Sequence, residues 1–341
     1  MIMKKIVFLL FLFFLLALTE LVAAARVAVF PNILKPDSLA VDNGQVIITE
    51  GASISLYSLE DFSLQKKFGN QGEGPQEFKI TSYGGTGLVV DVQPRVLLVT
   101  SVGKLSLFTR EGKFIKELKA NHNFFGSRFL ALGKQYVGLG SKMEGNINYI
   151  TVNIYNAELN KVKEICMWES PYRPGAGTRV FTEPYSFCST GNKIFTTNGI
   201  EFTIDVYDSQ GENLYGIKQE YKKLKVSEAT KKAVIDYFKT NPATKNVFRF
   251  MQPIIFPDYL PAIRNIMVKD KKVYVLTFKR EGNKSEFYIF DVNGELLNRV
   301  FLPLKENSPL TYSPFYIKDG KLYQLVENEE EEEWELYVTE I

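Results

Sequence analysis

"IMVKDKKVYVLT", residues 266–277, followed by "FDVNGELL", residues 290–297, sets the reading of this chain. The first stretch is two short apolar runs around a polar Lys-Asp-Lys-Lys turn. The second is an aromatic that ends a strand, a turn of Asp, Asn and Gly, and a fresh apolar run. Both are hairpin signatures. Together they make four short strands joined by three hairpins, and one such small sheet cannot bury both of its faces alone.

Working outward, the unit repeats. The second stretch recurs as YSLEDFSL from Tyr57, FTREGKFI from Phe108, YNAELNKV from Tyr155 and YDSQGENL from Tyr207, with Tyr337 as a sixth marker. The first recurs as LAVDNGQVIIT, LVVDVQPRVLLVT, FLALGKQYVGLG, FCSTGNKIFTT and FYIKDGKLYQLV. The aromatic markers fall 47–52 residues apart, except for 83 between Tyr207 and Phe290. Four-stranded units of about 40–50 residues are propeller blades. Six copies predict an all-β, six-bladed β-propeller. The sixth unit stops at its third strand, WELYVTEI, while RVAVFPNIL stands unpaired before the first. Val27–Ile33 is therefore expected to pair with Glu335–Ile341 and to remove an exposed edge.

The long interval holds a helical insertion between blades 4 and 5, at about 222–258. SEATKKAVIDYFKT offers Ser227 as an N-cap and stops before Pro242, with Ala229, Ala233, Val234 and Tyr237 on one face of a single helix. Between Lys222 and Arg249 eight basic residues face only Glu228 and Asp236, a local charge of +6. An anionic partner would feel that charge, although a solvated helix face is the plainer reading.

The chain opens with Lys4 and Lys5, an apolar run from Ile6 to Leu18, and Ala23-Ala24-Ala25 before Arg26. That is the pattern of a secretory signal peptide over residues 1–25, and its apolar core is short of the roughly 20 residues a spanning helix needs. The remaining 26–341 is expected to be one exported propeller domain, periplasmic or extracellular, with no stable membrane insertion. Losing Lys4, Lys5 and Glu20 takes the formal charge from +2 to +1, which gives no general case for nucleic acid. Cys166 and Cys188 are too few for a disulfide framework. They fall on an outer and an inner strand of neighbouring blades, which argues against a bond.

"FGNQGEGPQEF", residues 68–78, follows the last strand of blade 1 and precedes the first strand of blade 2. No helix opens after its glycines and no Lys-Ser/Thr pair follows, so it reads as an inter-blade crossover and not as a phosphate loop. Its two phenylalanines are expected to pack between blades. Gly69-x-x-Gly72-Glu73-Gly74-Pro75-x-Glu77-Phe78, with Phe256-Pro257-x-Tyr259-x-Pro261, resembles secreted bacterial six-bladed β-propellers related to NHL repeats. The resemblance spans residues 26–341 and implies the fold. Most members of that family carry no assigned activity, so it leaves function open.

Chemistry is sparse. The one histidine, His122, cannot build the multi-histidine metal site of amidating-lyase relatives of this fold, and a lone loop histidine reads as solvated. The carboxylate run Glu329–Glu333 lacks the alternating spacing that turns oxygens toward one calcium ion, and reads as a solvated hairpin tip. The function expected is an exported binding or scaffolding module for a protein, peptide or glycan, anionic ones included, with no cofactor and no catalytic residue assigned. The alternative is a lactonase-like, metal-dependent hydrolase or lyase with a divalent metal in the channel, which in those relatives needs Glu, Asn and Asp on the innermost strands. Crossovers and the loops between second and third strands emerge on one face of a propeller, and long loops are where binding groups gather. Glu73, Tyr172, Arg173, Arg179, Arg249 and Tyr259 are the expected ligand contacts on that face.

Overall fold

A computed structural model describes residues 24–79, 87–119, 128–170, 177–181 and 186–341. His122, Tyr172, Arg173 and nearly all of the expected signal peptide, residues 1–25, lie outside the described residues. The rest forms a six-bladed β-propeller. Blade 1 runs Ser38–Asp42, Gln45–Glu50, Ser53–Ser58 and Leu64–Phe68, and blade 2 runs Val89–Val92, Val96–Ser101, Lys104–Thr109 and Phe114–Lys119. Blade 3 comprises Phe129–Leu132, Gln135–Glu144, Ile147–Tyr155 and Lys161–Glu169; blade 4 comprises Ser186–Thr190, Lys193–Thr197, Thr203–Tyr207 and Asn213–Lys218. Blade 5 is Asn265–Lys269, Lys272–Glu281, Lys284–Asp291 and Leu296–Pro303, and blade 6 is Phe315–Lys318, Lys321–Asn328 and Glu333–Glu340 with the N-terminal strand Ala25–Phe30.

The blade pattern has a local cause. In blades 3, 4 and 5 the aromatic marker is followed by an acidic or amide side chain that holds the turn, and in blades 1 and 2 the hydroxyls of Ser58 and Thr109 do so. Asp291 accepts from the backbone N–H of Asn293 and Glu295, Asp208 from Gln210 and Glu212, and Asn156 from Glu158 and Asn160. These bonds close the turn before any tertiary contact forms. Second strands are apolar without alternation because a blade is covered on both faces: Val273, Tyr274, Val275 and Leu276 are all buried. Apolar clusters fill every seam between neighbouring blades, including the one that joins blade 6 to blade 1.

Closure occurs as expected, two residues earlier in the sequence. Ala25–Phe30 pairs antiparallel with Glu333–Glu340, Phe30 opposite Trp334 and Ala25 opposite Val338. Pro31 has no N–H to give to the ladder, so the chain turns there, and Ile33 is buried from the turn instead of the strand. Arg26 donates to Glu335 at 2.7 Å, and Trp334 Nε1 donates to the Leu34 carbonyl.

Phe68–Phe78 is the predicted crossover. Phe78 is fully buried and, with Phe68, packs on Phe108 of blade 2. Gly69 sits at φ +90°, and a β-carbon there would lie 2.5 Å from the Ala52 carbonyl. The carboxylate of Glu77 accepts from the N–H of Gly74 at 2.8 Å, so this acid serves the turn.

The insertion closes on a stem, since Val226 N–H bonds the Asp258 carbonyl and Leu260 N–H bonds Leu224. It carries two helices where one was expected, α1 (Glu228–Thr240) and α2 (Phe248–Met251). Ser227 caps α1 by accepting from Thr230 N–H. The buried face is Val234 and Phe238, and Ala229 and Ala233 are exposed. Two bulky side chains four apart outweigh two alanines. They pack with Val180, Phe181 and Leu310, which lie on the crossovers to either side.

Candidate functional site at the crossover end of the channel

First strands of the blades line the channel, and each starts at the end where the crossovers arrive. Charged or polar residues at those starts therefore meet around one opening, although they are far apart in sequence. Arg128 precedes the first strand of blade 3, Ser186 begins that of blade 4, and Arg264 and Asn265 introduce that of blade 5. Tyr312 arrives from the small hairpin Glu306–Ser308/Thr311–Tyr312 between blades 5 and 6.

All of these groups but Arg128 form one network. Ser186 Oγ donates to Asn265 Oδ1 at 2.9 Å, and Asn265 Nδ2 donates to the Tyr312 hydroxyl at 2.9 Å. The Arg264 guanidinium is buried, 5.2 Å from the Phe278 ring centroid and 5.0 Å from that of Tyr312. It pairs with Glu306, whose other oxygen meets Arg280 at 2.9 Å. Arg128 stacks over Phe187 at 5.2 Å and has no carboxylate partner among the described residues. Burial pushes the Tyr312 phenol up, against the opposing charges of Arg264 and Arg128 and the Asn265 hydrogen bond, so it stays protonated at neutral pH. On the rim side, Arg280 and Glu306 also line a cleft of about 570 Å³ between blades 5 and 6, walled by Leu304, Val326 and Tyr337.

Of the expected contacts, the fold gathers three on or beside the insertion. Arg179 pairs in register with Ile255 through a short parallel ladder, Arg249 is exposed on α2 and stacks on Phe250, and Tyr259 bridges Lys225 in the stem. Phe250 is 66% exposed and Tyr259 54%. Glu73 lies on the blade 1–2 crossover, across the ring from the insertion. Its ion pair with Lys79, at 2.8 Å, holds its carboxyl below the usual range. Sequence reading missed Arg128, Arg264 and Tyr312. A cation directly before an inner strand was the available signal, as in "AIRNIM".

The opposite mouth has a different character. Its cavity of about 390 Å³ is lined by the first turns of all six blades. Polar links run from blade to blade around it. Arg110 meets Asp42 at 3.5 Å, Asp91 accepts from Ala131 N–H at 2.8 Å, and Ser189 donates to the Ala131 carbonyl at 2.8 Å. Lys193 then reaches the Val292 carbonyl, Lys269 bonds Tyr316, and Lys318 joins Asp270 at 2.8 Å to Asp42 at 3.5 Å. Burial works against charge on Lys318, but Asp270, Asp319 and Asp42 outweigh it and raise its pKa.

Inner-strand carboxylates Asp42 and Asp91 are the natural donors for a channel metal, and both are engaged by protein cations or amides. Among the described residues no three His, Cys, Asp or Glu side chains cluster to hold a metal ion. The donor set does not fit a lactonase-like centre. Cys166 and Cys188 are free thiols, both pushed up to about 12 by burial. No helix among the described residues is long and apolar enough to cross a membrane.

Solved structures share this architecture. A protein of Bacteroides fragilis predicted to be exported superposes with a TM-score of 0.56 at 11% identity, covering 93% of each chain. A member of the DUF4221 family from Bacteroides vulgatus superposes with a TM-score of 0.51 at 12% identity, over 93% of this chain and 98% of that one. At such identity the likeness is one of fold. No family model matches the chain, and no curated protein does.

Proposed function

We propose that this chain is an exported binding module of the NHL-related propeller kind that takes an anionic ligand, glycan or peptide, on its crossover face. The observation that carries this reading is the pairing of Arg179 with Ile255 of the insertion, the segment that also carries Arg249 and the exposed Phe250. Cations beside a projecting aromatic ring suit a ligand with both charge and a flat or apolar surface. The other face offers short turns whose charges already bind one another. Tyr172, Arg173 and Tyr259 would extend the surface, and Glu73 would bound it from the far side of the ring.

The test is binding of polygalacturonate, a polyanionic glycan, to the wild type and to a triple variant, Arg173→Ala, Arg179→Ala and Arg249→Ala. Salt-sensitive binding that disappears in the variant, with unchanged melting, is the expected result. Equal binding by both proteins would refute the proposal.

A further inference from the structure

We infer that the crossover end of the channel holds an oxyanion site, formed by Arg128, Arg264 and Tyr312, for the carboxylate of a small acidic ligand. The site uses none of the residues assigned to the insertion surface, so it stands or falls separately.

Three observations converge. First, donors there outnumber acceptors. Asn265 Nδ2 donates to the Tyr312 oxygen, so that hydroxyl directs its own proton elsewhere, and no acceptor for it occurs among the described residues. The Nε of Arg128 is buried and likewise has no hydrogen-bond partner among them. A buried donor is almost always paired, so the Arg128 Nε, close enough for its charge to act on the Tyr312 phenol, calls for a ligand atom or ion.

Second, the charge is unbalanced. Arg264 and Arg280 share the carboxylate of Glu306, and among the described residues Arg128 has only the face of Phe187. A third guanidinium near a half-buried phenol is costly without an anion, and inside the channel little water screens it. Third, the groups are held still. Arg264 is clamped between the rings of Phe278 and Tyr312, and Tyr312 is tied through Asn265 to Ser186 on the next blade. Fixed donors lose little entropy when an anion arrives.

A planar carboxylate matches a guanidinium edge with a phenol O–H beside it. The rings of Phe278 and Tyr312, both only partly buried, provide apolar surface for whatever carries the carboxylate. A free inorganic oxyanion uses the same donors but gains nothing from those rings.

The experiment is calorimetric titration of the purified protein with D-galacturonate, with D-galactose as the neutral ring of the same shape, and with sulfate. Saturable galacturonate binding and no galactose binding are expected. Tyr312→Phe keeps the ring against Arg264 and removes only the donor, and should weaken binding about 10-fold. Arg128→Gln should weaken it by about 30-fold or more, with Arg128→Lys recovering part of the loss. The double variant Arg179→Ala/Arg249→Ala should bind galacturonate as the wild type does, which separates this site from the insertion surface. Sulfate binding with the same variant pattern but no galacturonate binding would keep the oxyanion site and overturn the carboxylate assignment. No saturable binding of either anion, or affinities unchanged in both Tyr312→Phe and Arg128→Gln with circular dichroism intact, would overturn the inference.

Discussion

Phe30→Ala tests how the ring is locked. Phe30 ends the N-terminal strand, is 1% exposed, and lies 4.6 Å from the Tyr57 ring of blade 1. It also packs with Leu39, Val41 and Trp334, so one side chain fastens the closing strand of blade 6 to the neighbouring blade. Removing the ring gives up about 120 Å² of buried apolar surface, or about 3 kcal/mol at 25 cal/mol per Å². Incomplete collapse of the cavity adds about 1 kcal/mol, within the range of about 3–5 kcal/mol for buried Phe→Ala changes. The adjacent Val29 points the other way and is 38% exposed, so Val29→Ala should cost about 0.5 kcal/mol. Urea unfolding of both variants gives the difference, and hydrogen exchange should show Ala25–Phe30 amides opening faster only in Phe30→Ala. A gap below about 1 kcal/mol between the two variants would refute the view that this strand end locks the ring.

Two further outcomes follow from titratable groups. Glu335 accepts from Tyr337, Arg26 and Asn328, and these bonds hold its carboxyl below the ordinary 4.5. A depressed carboxylate stabilises the fold above its unfolded value and loses that contribution as pH falls through the folded value. The stability difference between wild type and Glu335→Gln should therefore be full near about pH 6 and shrink below 4.5; a difference flat with pH would remove Glu335 from the acid response. Cys166 and Cys188, with thiols pushed up to about 12, should resist a disulfide reagent at about pH 8 in the native protein and both react once unfolded without reductant. Rapid native labelling, or fewer than two thiols in denaturant, would contradict the buried free pair.

The blades were legible because their signal is local. An aromatic followed by a polar turn, with Asp and then Gly after Tyr207 and Phe290, marks a hairpin without knowledge of the rest of the chain, and a recurring hairpin unit implies a ring. The closing strand was legible by counting, although Pro31 should have ended it sooner. The helix start at Ser227 was legible for the same local reason. Its buried face was not, because that face is chosen by Val180 and Leu310, which come from other crossovers. The thiols on adjacent blades stayed apart as their strand positions implied. Arg179 reaches Ile255 of the insertion through a two-residue ladder and Tyr259 sits in the insertion's stem, whereas Arg264 and Tyr312 meet only once the ring closes.

The two ends of the channel show why a closed ring separates stability from recognition. Around the short-turn mouth, Asp42 and Asp270 are joined through Lys318, and Arg110 ties Asp42 to blade 2. Each charge there links two blades, so removing one loosens a seam. At the crossover end the blades are already joined by chain, and Ser186 and Asn265 tie blades 4 and 5 there without using Arg128. Arg128 can therefore keep its buried Nε without a hydrogen-bond partner among the described residues, because the apolar seams and the opposite belt hold the ring. Uncompensated cations are tolerated where the fold does not depend on pairing them, and that is the end where a ligand can supply the missing charge.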